Sequence, residues 1–137
     1  LDMEYVDLYF YLKCDGIGNG ISYESIVFTD AYHDNQHGYM MIIESNIGKN
    51  LKLFLTASVE IRPLIETFEK FIDDPTSTTY KREFTDGNLI VQYAVLGEPF
   101  RSGISITLNK ISTNEQRSVF LDKLHLIKIV KKLKESL

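Results

Sequence analysis

The stretch DAYHDNQHGY, residues 30–39, places His33 and His37 beside Asp30 and Asp34. Two imidazoles at that spacing share a face on a helix, where they could hold one divalent metal. Gly38 and the Asp, Asn and Gln content argue against a helix, and no glutamate stands in the metalloprotease helix pattern. A structural zinc site draws four ligands, usually with cysteine among them, and the chain has one cysteine, Cys14. The third histidine, His125, could join only through the fold. The stretch reads as an exposed polar loop between two strands, with no metal and no cofactor expected.

The other candidate chemistries are thinner. Gly16, Gly18 and Gly20 form a glycine-rich run, but a phosphate cradle needs a helix N-terminus after it. Here ISYESIVFT follows, which is a strand pattern, so the glycines are expected to supply positive φ in a hairpin connection. No serine sits in a G-x-S-x-G elbow, and no histidine neighbours Cys14 in sequence. An enzyme reading would rest on the His33/His37 loop or Cys14, as a small-molecule or metal-dependent activity. The expectation is that the chain is not an enzyme.

The elements that would position these groups follow from periodicity. Val6, Leu8, Phe10 and Leu12 alternate with Tyr5, Asp7, Tyr9 and Tyr11, which is the period of a half-buried strand. ISYESIVFT, YMMIIES and LKLFLTA read as three more strands. Leu64, Ile65, Phe68, Phe71 and Ile72 then form one helical stripe, with Pro63 in its first turn and Pro75 closing it. YKREF and NLIVQYAVL form a hairpin around Asp86-Gly87, and ISITLNKI and RSVFL supply two further strands. Asp122 is a plausible N-cap for a final helix, whose buried stripe is Leu126, Ile129, Val130, Leu133 and Leu137. The fold class is α+β: a mostly antiparallel sheet of about seven to eight strands with two helices, near 60–74 and 122–136, in a single domain over residues 1–137. No internal repeat is visible.

The chain has 137 residues and a net charge of −4, but the charge is uneven. Residues 1–48 carry −7, residues 49–98 carry −2 and residues 99–137 carry +5. Such asymmetry bears on partners rather than on fold. The basic residues of the last helix sit where its dipole favours cations, and the overall acidity opposes phosphate attraction, so no nucleic-acid binding is expected. No apolar run approaches the ~20 residues of a membrane helix, and no membrane partner is expected. A lone thiol and the acidic start LDMEYVDLYF, with no basic n-region, favour a cytoplasmic location.

The tyrosines carry the binding hypothesis. Tyrosine contributes large contact area with a terminal hydroxyl, and acids among tyrosines attract a cationic partner. Tyr9, Tyr11, Tyr23 and Tyr32 are the expected anchors, with Asp7, Glu24, Asp30 and Asp34 as the steering and pairing groups. The competing reading places the tyrosines under a helix, in the core.

A small acidic α+β domain with tyrosines and carboxylates concentrated at one end is similar to immunity proteins of bacterial toxin–immunity pairs, including those of contact-dependent inhibition and other polymorphic toxin systems. The resemblance rests on size, charge and element order. It implies a protein that binds a cognate toxin domain and occludes its active site. An acidic inhibitor would suit a basic nuclease. An adaptor that pairs through an edge strand is the remaining alternative.

Overall fold

The structure, a computed structural model, describes residues 10–18, 22–74, 80–95 and 102–137. Its first half runs β1 (Tyr11–Asp15), β2 (Glu24–His33), β3 (Gln36–Ser45), β4 (Leu51–Thr56) and α1 (Arg62–Asp73). The second half runs β5 (Lys81–Phe84), β6 (Leu89–Val95), β7 (Ser102–Lys110), β8 (Glu115–Asp122) and α2 (Lys123–Ser136). The strands form two antiparallel four-stranded sheets, β1-β2-β3-β4 and β5-β6-β7-β8. The chain therefore repeats one plan, a four-strand meander followed by a helix.

Alternation decides which face each strand buries. In the first sheet Ile26, Phe28, Tyr39, Met41, Ile43, Leu51 and Leu55 share the inner face. In the second, Leu89, Val91, Tyr93, Ile104, Ile106, Leu108, Val119 and Leu121 do so. These residues join the helix stripes Leu64, Ile65, Phe68 and Phe71 of α1 and Leu126, Ile129, Val130 and Leu133 of α2 in one buried cluster. Leu137, expected in the α2 stripe, is exposed beyond the last turn.

The helix ends follow their chemistry. A π-helical turn, Ala57–Ile61, leads into α1. The Glu60 carboxylate accepts hydrogen bonds from the backbone N–H and the hydroxyl of Thr56, both at 2.8 Å, and so satisfies a donor at that turn's start. Asp122 caps α2 as expected, accepting from the backbone N–H of His125 at 3.1 Å. Lys134 of α2 pairs with Glu69 of α1 at 2.9 Å. The Tyr39 hydroxyl hydrogen-bonds that of Ser136, which ties the end of α2 to β3.

Two expectations need correction. The polar loop of residues 30–38 is not a loop: β2 and β3 stay paired through Tyr32↔His37 and His33↔Gln36, leaving Asp34-Asn35 as a two-residue turn. Both turn residues have positive φ, 51° and 63°, which suits the twist of a tight hairpin and is tolerated by Asp and Asn. Gly16 and Gly18 are not among the glycines with positive φ. They serve close approach instead. A Cβ on Gly16 would lie 2.5 Å from Val119 Cγ2, and one on Gly18 would lie 3.1 Å from the Tyr23 ring. Gly20 lies outside the described residues.

Candidate functional site

The stitch made by those glycines joins the two sheets. The Gly16 amide donates to the Glu24 carbonyl at 2.8 Å, and the Ile17 amide donates to the Phe120 carbonyl of β8 at 2.9 Å. Beside it, the Tyr23 amide donates to Asn46 Oδ1 at 2.7 Å, and the Asn46 amide donates back to the Tyr23 carbonyl. This exchange holds the start of β2 against the β3–β4 turn, which carries Ile47. Tyr23 is 62% exposed and Ile47 54%, with Phe120 also exposed across the stitch.

Carboxylates border this end. Asp15 accepts a hydrogen bond from Ser25 Oγ at 3.0 Å, and Glu24 accepts from Ser22 and Ser45, both at 3.3 Å. Neither forms an ion pair among the described residues. Glu44, one rung away, pairs with Lys13 at 3.1 Å. Opposite, the Arg117 guanidinium packs on Gly48, where a Cβ would meet Nη2 at 2.2 Å. This end thus carries exposed aromatic and aliphatic side chains, the carboxylates of Asp15 and Glu24, and the Lys13 and Arg117 cations.

The eight expected binding residues do not form one patch. Asp7 and Tyr9 lie outside the described residues. Tyr23 and Glu24 stand at one end of β2, with Tyr11 exposed further along β1 on the sheet's outer face. Tyr32 and Asp34 are exposed at the opposite end, on the β2–β3 hairpin. Asp30 is a correction: it is buried on the inner face, where its carboxylate accepts the Phe10 amide at 3.3 Å. It holds the start of β1 and cannot steer a partner. Asp15, Ile47 and Phe120 were missed. Only the Gly-Ile-Gly run and the NIG turn hinted at their placement, since long-range stitching leaves no periodic signal.

The groups with catalytic potential stay apart. His33 and His37 project from opposite faces of the first sheet, His33 against Phe54 and His37 between Tyr32 and Tyr39. They cannot share a metal, and no cluster of three metal-capable groups occurs among the described residues. His125 Nδ1 lies 2.5 Å from Asp122 Oδ1, within the cap of α2. Burial, and secondarily the Asp15 charge, push the Cys14 thiol up to about 11, so it is protonated at neutral pH and a poor nucleophile.

Compared with known proteins, the chain matches no family model, no curated protein and no solved structure. No helix among the described residues is long and apolar enough to cross a membrane.

Proposed function

We propose that this chain is a non-enzymatic binding protein, an immunity protein that neutralises a cognate toxin domain by covering its active site. The reading rests on the end of the first sheet, which carries exposed Tyr23 and Ile47 together with the carboxylates of Asp15 and Glu24. That surface has the parts a protein hot spot needs: a large amphipathic ring, an aliphatic neighbour, and acids placed to attract a basic partner. Backbone pairing fixes the Tyr23 position before any partner arrives, so little ordering entropy is lost on binding. The partner expected is a basic toxin domain, such as a nuclease, acting in the cytoplasm.

Co-expression with the product of the adjacent reading frame tests the reading. Native mass spectrometry is expected to show a one-to-one complex, and the toxic product is expected to arrest growth only when this chain is absent. A neighbouring product that is harmless, or that never forms a complex, removes the proposal.

A further inference from the structure

A second surface has the opposite chemistry. β4 ends the first sheet, so one of its edges has no strand partner among the described residues. Along that edge lies a groove of about 870 Å³, lined by every residue from Asn50 to Phe54. Consecutive residues of a strand point to opposite faces, so a run that lines one groove presents its backbone edge to it. Leu108 and Ile111 form part of the facing wall, and Ile111 is 74% exposed. Lys52 and Lys110 stand on the two sides, both exposed and neither in an ion pair among the described residues. Glu115 faces Lys110 across the β7–β8 ladder, but its carboxylate accepts from Thr113 Oγ1 at 2.6 Å.

We propose that this groove takes an extended acidic segment of a partner protein, which joins the first sheet as a fifth strand beside β4. The free amides and carbonyls of β4 supply the pairing, and alternate side chains of the guest divide between two environments. One set meets Leu53 and Ile111. The other meets the lysines. A lysine on an edge strand opposes indiscriminate strand pairing, and the same charge admits a strand bearing carboxylates. The groove volume falls within the range of formed binding clefts. The groove's lining does not include Tyr23, and the proposal does not depend on the toxin reading.

The test uses the intact chain and a fluorescein-labelled peptide of about eight alternating valines and aspartates, a length that spans β4 and its flanks at ~3.3 Å per residue. Fluorescence anisotropy is expected to show saturable binding. The Lys52→Glu, Lys110→Glu double variant is expected to weaken it about tenfold, from two exposed charge contacts of ~1 kcal/mol or less each. N-methylation of alternate peptide amides is expected to weaken it by about tenfold or more, through lost backbone hydrogen bonds. Hydrogen exchange is expected to slow at β4 amides on binding. A peptide with lysine in place of aspartate is expected not to bind, a control that needs no variant. Any of four results overturns the proposal: no binding at millimolar peptide, equal binding of the lysine peptide, equal binding of the N-methylated peptide, or slowed exchange confined to other strands. Concentration-dependent dimerisation that protects β4 without peptide also overturns it, since the occupant is then a second copy of the chain.

Discussion

Tyr23 immediately precedes β2 and Tyr32 is its last residue but one, so the two phenols stand at opposite ends of the same strand. At ~3.3 Å per residue they are roughly 30 Å apart along it. A compact partner surface engages one end far more readily than both, since a standard interface buries only about 800 Å² on each side. The proposed docking is assigned to the Tyr23 end, which also carries exposed Ile47 and two carboxylates outside any described ion pair. Tyr32 instead stacks against His37 beside a solvent-exposed turn.

Asp30 and Asp34 are expected to behave as different kinds of residue. Asp30→Ala removes the acceptor for the Phe10 amide and is expected to cost about 1–3 kcal/mol of folding stability. Asp34→Ala acts at an exposed turn whose positive φ alanine adopts with difficulty, so Asp34→Asn is the better comparison and is expected to stay within ~0.5 kcal/mol. Urea denaturation of both variants checks this. Equal stability of Asp30→Ala and the parent chain would show that the carboxylate has no structural task.

Much of the fold was legible because it depends on period. The strands β4, β6 and β7 and the stripes of α1 and α2 were read from patterns that burial must respect. The β2–β3 hairpin was misread because polar residues near a strand end resemble a loop. Only the positive φ of Asp34 and Asn35 reveals that pairing continues to the turn. The π-helical turn before α1 left no sequence signal beyond the Thr56–Glu60 spacing. The candidate site was half legible. Residue type marked Tyr23 and Glu24, but Ile47 and Phe120 reach them through backbone bonds between distant segments.

Gly38 permits the close approach of β3 and β4. A Cβ there would lie 2.2 Å from the Leu55 carbonyl oxygen and 2.7 Å from Phe54 Cζ. Backbone cannot yield as a side chain can, so Gly38→Ala is expected to destabilise by about 1–3 kcal/mol. Thermal unfolding measures the change, and an unaltered midpoint would contradict the close approach.

Alkaline pH is expected to weaken the fold. Burial raises Cys14 to about 11 and Tyr93 to about 12, above their ordinary values of 9.0 and 10.0. The folded chain holds these protons more tightly than the unfolded chain does. Their contribution is intact below about pH 9 and is lost as pH climbs through the raised values. The unfolding midpoint in urea is therefore expected to fall over that window, and the Cys14→Ser, Tyr93→Phe double variant is expected to show a smaller fall. The Tyr93 hydroxyl has no hydrogen-bond partner among the described residues, so Tyr93→Phe alone is expected to be neutral or stabilising by up to about 1 kcal/mol. An identical pH slope in parent and double variant would contradict this assignment.

The most direct measurement compares the two ends of β2 in one binding assay. Isothermal titration of the adjacent gene's product, carrying an inactivating substitution, is made against Tyr23→Ala, Glu24→Lys and against Tyr32→Ala, Asp34→Lys. The account predicts that the first pair weakens binding by about thirtyfold or more, the loss of a hot spot worth ~2 kcal/mol, while the second changes it by less than about threefold, the effect of rim charges. A large loss at Tyr32 and Asp34, with Tyr23 and Glu24 indifferent, would place docking at the hairpin and contradict the account.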